Sequence, residues 1–205
     1  MIECTTVETI TTLALNRPDK ANALTAEMLE KIDHEVAGAA ERNAKVLVLT
    51  GRGKVFSAGA DLDAARAGLT THPVWERLSG RIASFPGLTI AALNGTCAGG
   101  AIGMVVACDL RVAVPNAKVF YPVLKNGFLP QPSDPGRLVA LCGRSRAKQI
   151  LLAGQKIAAE TALSWGLFDA VVAAEDLETE VARLAQDAVS SNPDILNGIK
   201  SLCNQ

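Results

Sequence analysis

The chain has 205 residues, of which 49% are hydrophobic and 20% are charged, and its formal net charge is −1. This length predicts one domain, and a nearly neutral charge excludes a strongly basic nucleic-acid-binding protein. Aromatic residues make up only 4% of the chain, which is too few for a base-stacking surface. The composition therefore predicts an ordinary globular protein with a sizeable core.

The cysteines predict buried free thiols in a reducing cytoplasm. Their number is odd, and they form neither a CxxC pair nor a cluster with a histidine, so we expect no metal site and no disulfide framework. They are Cys4, Cys97, Cys108, Cys142 and Cys203. The N-terminus has no basic region followed by an apolar one, which predicts no signal peptide.

The longest uncharged run, residues 82–108, is long enough to cross a bilayer. It contains Pro86, Asn94 and five glycines, and its pattern changes from strand-like to helix-like. A buried strand, turn and helix explain this run better than a membrane span.

Strands and helices alternate at the start of the chain. Residues Thr6–Asn16 predict a strand that ends before Pro18. Thr25 is a predicted N-cap of a helix that reaches about Arg42. The apolar run Val46–Thr50 is typical of a strand covered on both faces.

Two further apolar strands, Thr89–Leu93 and Leu110–Val114, flank a predicted helix over Gly99–Cys108. This order predicts an α/β fold with a parallel sheet and right-handed crossovers. The rest of the chain is mostly helical in pattern. The predicted elements there are helices Arg144–Ala153, Ala158–Trp165 and Leu177–Ser191 and a strand at Ala170–Val172.

Two glycine-rich turns, Phe56–Leu62 and Asn94–Ala101, each follow an apolar strand and lead into a predicted helix. Small residues let a ligand approach the backbone, and the first amides of a helix have no partner within it. Two such amides aimed at one point would stabilise a carbonyl oxygen that gains negative charge. The alternative is that the glycines only permit tight turns. Neither turn matches a dinucleotide-binding or P-loop motif.

Other candidate residues have ordinary alternatives. Cys97 is a conceivable nucleophile, but a small core cysteine explains it better. His72 and Glu76 lie in residues 68–80, which fit either a loop that covers substrate or a solvated segment.

Taken together, these segments resemble the enoyl-CoA hydratase/isomerase family, also called the crotonase superfamily. The resemblance runs in order along nearly the whole chain. It is carried by Leu15–Leu24, Val46–Gly51, Phe56–Leu62, Ala92–Gly95, Ala98–Gly100, Cys108–Leu110, Ala147–Lys148, Leu151–Gly154 and Ala162–Val171.

The resemblance implies a spiral of ββα units and an acyl-CoA thioester as substrate, with no cofactor beyond the coenzyme A of that substrate. It implies an oxyanion hole formed by the amides of Ala60 and Gly100. The residues that it places beside the substrate are Lys20, Ala21, Ala23, Ala58, Asp61, Leu62 and Asp63. It also implies a homotrimer or hexamer.

The catalytic positions depart from the family pattern. The two glutamates of a typical hydratase fall at Gly103 and Val123, neither of which can transfer a proton. A third position used by other branches falls at Gln131, which can only form hydrogen bonds. Asp134 is the remaining catalytic candidate, with a helix N-cap as its alternative. Tyr121 either points into the site or is a buried aromatic residue.

The family usually continues with further C-terminal helices. We therefore expect a core over residues 1–190 and a short helical segment over 191–205. The predicted function is an acyl-CoA enzyme that forms an enolate, and its reaction is isomerisation, hydrolysis or decarboxylation, with hydration as the family default. The alternative is a catalytically weak acyl-CoA-binding or oligomer-partner protein.

Overall fold

A computed structural model describes residues 1–204 and contains two β-sheets. The larger sheet has six strands in the order β1-β2-β3-β5-β7-β10. Its strands are β1 (Ile2–Val7), β2 (Ile10–Leu15), β3 (Val46–Gly51), β5 (Leu88–Leu93), β7 (Leu110–Ala113) and β10 (Ala170–Val171). Only the β1–β2 pair is antiparallel. The predicted α/β fold with a parallel sheet is confirmed.

The smaller sheet has the order β4-β6-β8-β9, and β4, β6 and β8 run parallel. Its strands are β4 (Val55–Ser57), β6 (Thr96–Ala98), β8 (Lys118–Phe120) and β9 (Ile157–Ala158). Each of the three parallel strands follows a strand of the larger sheet and precedes a helix. The chain thus makes three ββα turns in succession, so the ends of β4, β6 and β8 lie side by side.

Ten α-helices cover the sheets within residues 1–204, and none of them is long and apolar enough to cross a membrane. They are α1 (Ala26–Glu41), α2 (Leu62–Arg66), α3 (Val74–Ala83), α4 (Ala101–Ala107), α5 (Val123–Asn126), α6 (Asp134–Cys142), α7 (Arg144–Leu151), α8 (Ala159–Ser164), α9 (Leu177–Ser190) and α10 (Pro193–Cys203). All seven residues of α4 are buried, as expected for the helix that follows the second glycine turn.

Most predicted elements are confirmed within two residues. The helix after Thr25 is α1, and the Thr25 side chain accepts a hydrogen bond from the Met28 amide as its N-cap. The single strand predicted over Thr6–Asn16 was wrong. The chain turns back at Glu8, which has a φ of 52°, and thereby forms the β1–β2 hairpin.

The segment over residues 68–80 is mostly helical and partly buried, so the alternative of an ordinary solvated segment was wrong. It forms a 3-10 turn at Leu69–Thr71 and then α3, and it buries Val74, Trp75 and Leu78. The apolar residues Val74, Trp75, Leu78 and Ile82 recur at helical spacing, so periodicity could have predicted α3.

The C-terminal helix α10 is held against the larger sheet by the side chain of Lys200. Lys200 Nζ lies 2.7 Å from an Asp109 carboxylate oxygen and 2.9 Å from the Gly87 carbonyl oxygen. The last residue, Gln205, lies outside the described part of the chain. All five cysteines are free, but Cys4 and Cys203 are exposed, which corrects the expectation that the thiols are buried.

Candidate active site

The two glycine turns are in direct contact. They follow β4 and β6, which pair in parallel, so both turns lie at the same edge of the smaller sheet. A Cβ atom on Gly59 would lie 2.8 Å from the Ala98 carbonyl oxygen and 3.3 Å from the Gly99 Cα. Gly59 and Gly99 also have φ angles of 92° and 58°. Glycine is therefore required at residue 59 both by contact and by conformation, and at residue 99 by conformation.

Two backbone amides beside this contact have no acceptor among residues 1–204. The Leu24 amide donates to the Gly59 carbonyl oxygen, and the Asp61 amide donates to the Leu24 carbonyl oxygen. The Ala60 amide, which lies between these two hydrogen bonds, donates to no acceptor among the described residues. The Gly100 amide, at the N-cap of α4, also lacks an acceptor there. Ala60 and Gly100 both line one cavity of about 390 Å³. Unpaired donors that line a cavity are suited to an anionic oxygen.

A buried serine and asparagine hold the first turn in place. The Ser57 hydroxyl donates to the Asn22 carbonyl oxygen at 2.8 Å and accepts from the Gly59 amide at 3.1 Å. The Asn22 side chain donates to the carbonyl oxygens of Arg52 and Val55, each at 2.9 Å. The position of the Ala60 amide is therefore fixed by hydrogen bonds that are shielded from solvent.

Of the seven residues expected beside the substrate, two line the cavity. Ala58 and Leu62 are both exposed on its wall, and the Leu62 side chain is 76% exposed. The other five lie outside the wall: Lys20, Ala21, Ala23, Asp61 and Asp63. Lys20 is exposed, and the Ala21 carbonyl oxygen accepts from the Ala58 amide at 2.9 Å, which places this segment beside the first turn.

Asp61 and Asp63 are held by arginines and by a helix end. Asp61 caps α2 and lies 2.7 Å from Arg17, whose guanidinium lowers the pKa of the Asp61 carboxyl. Arg17 also donates to the Ala23 carbonyl oxygen at 3.0 Å. Asp63 pairs with Arg66 on the surface at 3.1 Å. Arg17 thus joins the Ala23 segment to the first turn.

Another part of the cavity wall comes from α3 and from the segment that leads into α6. Trp75 packs over the second turn, since a Cβ atom on Gly100 would lie 3.1 Å from its ring. Its indole nitrogen donates to the Leu69 carbonyl oxygen at 2.8 Å. Gln131 also lines the cavity and donates to the Thr70 carbonyl oxygen at 3.2 Å. Sequence reasoning missed Trp75 and Thr70, and only their position in the 68–80 segment pointed to them.

Asp134 is buried directly against Gly103. A Cβ atom on Gly103 would lie 2.8 Å from Asp134 Oδ1 and 3.1 Å from Oδ2. The Tyr121 hydroxyl donates to Asp134 Oδ2 at 2.9 Å, and Tyr121 itself lines the cavity. The N-cap alternative for Asp134 was wrong, because Ser133 occupies that position and α6 begins at Asp134. Asp134 does not line the cavity, and Tyr121 lies between the two.

Burial changes the acidity of this pair. Loss of solvent raises the pKa of Asp134 to about 6, while the Tyr121 hydrogen bond opposes the increase. Loss of solvent and the nearby Asp134 carboxyl both raise the pKa of the Tyr121 hydroxyl. Tyr121 is therefore protonated near neutral pH, whereas Asp134 changes its charge just below neutrality.

Glu76 does not reach the cavity. Its carboxylate accepts hydrogen bonds from the hydroxyl and the amide of Ser133, which ties α3 to the start of α6. His72 accepts from the Val74 amide at 3.2 Å and likewise does not line the cavity. Both residues therefore position neighbouring segments. Val123, at one of the two positions that resemble the hydratase glutamates, does line the cavity.

Fold and cavity together define an α/β protein of ββα turns with two unpaired amides at one site, and comparison with known proteins identifies its family. The chain belongs to the enoyl-CoA hydratase/isomerase family, whose family model matches residues 5–205. It is an acyl-CoA enzyme of that family in the broad sense that its relatives share.

Two curated relatives and one solved structure illustrate the similarity. The "Probable enoyl-CoA hydratase echA6" of Mycobacterium tuberculosis is 33% identical over 202 residues, which cover 96% of this chain and 82% of the relative. The short-chain-enoyl-CoA hydratase of Clostridium acetobutylicum is 33% identical, covering 90% of this chain and 73% of the relative. The crystal structure of an enoyl-CoA hydratase from Bacillus anthracis has a TM-score of 0.91 and 29% identity, covering 100% of this chain and 82% of that one.

Proposed function

We propose that this protein binds an acyl-CoA thioester and stabilises the enolate formed from it. The observation that carries the proposal is the pair of unpaired amides, Ala60 and Gly100, on the wall of one cavity. The thioester oxygen would accept from both amides, and these bonds strengthen as negative charge develops on that oxygen. Because the two turns are rigidly packed, the donors need little rearrangement during the reaction.

The residues around the first turn fit the rest of the substrate. Lys20, Ala21, Ala23 and Ala58 would lie along the adenine and pantetheine of the coenzyme A. Leu62 would border the substrate. Asp61 and Asp63 would border the substrate, although each already has an arginine partner. Gln131 would orient the acyl group by hydrogen bonding. No cofactor beyond the coenzyme A of the substrate is part of the proposal.

The reaction that follows enolate formation is proposed to be something other than efficient hydration. Gly103 and Val123 offer no proton donor or acceptor at the positions that resemble the hydratase glutamates. Isomerisation, thioester hydrolysis and decarboxylation all pass through the same stabilised oxygen. The second candidate function is acyl-CoA binding without turnover, favoured by these two missing carboxylates.

Exchange of the α-protons of a saturated acyl-CoA distinguishes these functions. We expect purified protein to incorporate deuterium at the α carbon of butyryl-CoA in D2O, because a stabilised enolate exchanges protons with the enzyme. Mass spectrometry measures the incorporation, and calorimetry measures binding of the same compound. Binding without any exchange would support the second candidate and overturn the first.

We also propose that the protein is a cytoplasmic homotrimer or hexamer, as the family resemblance implies. Light scattering at micromolar concentration is expected to give three or six times the chain mass of 21.4 kDa. A monomeric mass would contradict this expectation.

A further inference from the structure

We propose that Tyr121 is the catalytic residue that exchanges a proton with the α carbon, and that Asp134 is the positioning residue that takes up or returns this proton behind it. This inference rests on the proposed function, since it needs a substrate whose thioester oxygen lies at the Ala60 and Gly100 amides. It assigns proton transfer to a pair of residues outside the two glutamate positions.

The fold brings Tyr121 to the wall of the cavity that the two amides also line. Tyr121 follows β8, the strand that pairs with β6 next to the second glycine turn. The Gly99 amide donates to the Phe120 carbonyl oxygen at 3.1 Å, so the residue before Tyr121 is bonded to the turn that carries the Gly100 amide. Tyr121 and both amides line the same cavity, although the Tyr121 side chain is almost wholly buried.

Asp134 occupies the space that a side chain at residue 103 would fill. Its Oδ1 lies 2.8 Å from the Cβ position of Gly103. This chain therefore places a carboxyl group beside α4, but the carboxyl comes from α6. Asp134 is fully buried, and its Oδ1 has no hydrogen-bond partner among the described residues. An unpartnered buried oxygen is unfavourable for folding, which points to a role other than stability.

The charged and titratable groups around the pair suit proton transfer. Arg137 lies 4.0 Å from Asp134 Oδ1, but it also donates to the Ser79 hydroxyl at 2.9 Å. The Arg137 charge favours ionised Asp134, whereas burial and the charge of Glu76 disfavour it. Cys97 faces Tyr121, and burial raises the pKa of its thiol, so it stays neutral. Burial thus keeps Tyr121 and Cys97 protonated near neutral pH, whereas Asp134 changes its charge just below neutrality.

The proton transfer balances without any further reactant. The Tyr121 oxygen takes the α-proton while its own proton moves to Asp134 Oδ2, which lies 2.9 Å away. The electron pair of the broken C–H bond enters the enolate, whose oxygen accepts from the two amides. Tyr121 ends unchanged, and Asp134 ends protonated. If the pair exchanges a proton with D2O before the reverse transfer, Tyr121 returns deuterium to the carbon, and the α-protons are thereby exchanged.

Two conservative variants test the relay through α-proton exchange of butyryl-CoA. Tyr121→Phe removes only the hydroxyl, and we expect exchange to fall by about 10²–10⁴-fold while affinity changes little. Asp134→Asn keeps the size of the side chain and an oxygen that accepts from Tyr121, but the amide cannot take a proton. If Asp134 had a merely structural role, Asp134→Asn would exchange like the wild type.

The pH dependence of exchange gives a second readout, in the wild type and in Asp134→Asn. Because ionised Asp134 is the form that accepts the proton, the wild-type exchange rate is expected to rise with pH through about 6, and the rise is lost in Asp134→Asn. A flat wild-type profile between about pH 5 and 8 would overturn the relay. If the wild type exchanges the α-protons and Tyr121→Phe exchanges them at the same rate, the relay is overturned but the proposed function is not. Absence of wild-type exchange would overturn the proposed function together with it.

Discussion

Gly100→Pro is expected to exchange the α-protons of butyryl-CoA about 10²–10³-fold more slowly than Gly100→Ala, because proline lacks the amide donor. Gly100 has a φ of −59°, which proline adopts without strain. The residue also precedes α4, so the loss of its N–H breaks no helical hydrogen bond. The variant therefore removes one of the two proposed donors and leaves the hydrogen bonds within α4 intact.

Gly100→Ala is the necessary control because any side chain at residue 100 meets Trp75. The added Cβ would lie 3.1 Å from the Trp75 ring, so the ring must move by a few tenths of an ångström. Both variants carry this Cβ, and only alanine keeps the N–H. Equal losses in the two variants would attribute the effect to displacement of Trp75 and would contradict the role of the Gly100 amide.

The sequence predicted the larger sheet well because its strands have continuous apolar runs. Val46–Thr50 and Thr89–Leu93 are covered on both faces and carry a clear signal. The strands β4, β6 and β8 have three residues each, which is too short for any periodicity. Their pairing nevertheless brings the two glycine turns together. The resemblance to a family, rather than the local pattern, therefore indicated that the turns form one site.

The relation between Asp134 and Gly103 could not be predicted from the sequence. The two residues lie on different helices, and their contact depends on how α4 packs against α6. From sequence alone, an aspartate just before a predicted helix suits a catalytic role or an N-cap equally, and the structure contradicts the N-cap. The Tyr121 hydrogen bond is likewise tertiary. Asp134 and Tyr121 were candidates because of their chemistry, and only the structure pairs them.

The protein is expected to hydrate crotonyl-CoA at least about 10²–10⁴-fold more slowly than an efficient hydratase, since each positioned acid or base contributes about that factor. Hydration needs one group to activate water at the β carbon and another to deliver a proton at the α carbon. The Tyr121–Asp134 pair would supply only the second, and the cavity wall at Val123 would supply nothing for the first. The two losses relative to a hydratase need not multiply, because groups that act together are not additive. A hydration assay beside the C. acetobutylicum short-chain-enoyl-CoA hydratase measures the difference, and comparable turnover would show that neither glutamate position is needed.

Introducing glutamates at residues 103 and 123 tests whether the missing carboxylates limit hydration. Gly103→Glu alone is expected to destabilise the fold by about 1–3 kcal/mol or more, because its side chain would meet the buried Asp134 carboxyl.

Gly103→Glu combined with Asp134→Gly frees that space, and Val123→Glu then adds a second carboxylate on the cavity wall. We expect this triple variant to hydrate crotonyl-CoA faster than the wild type while the Val123→Glu single variant gains less. Hydration that stays at the wild-type rate in a folded triple variant would mean that more than the two carboxylates separates this cavity from that of a hydratase. The position of Asp134 therefore explains why residue 103 is a glycine. The space beside α4 can hold the Asp134 carboxyl or a side chain at residue 103, but not both.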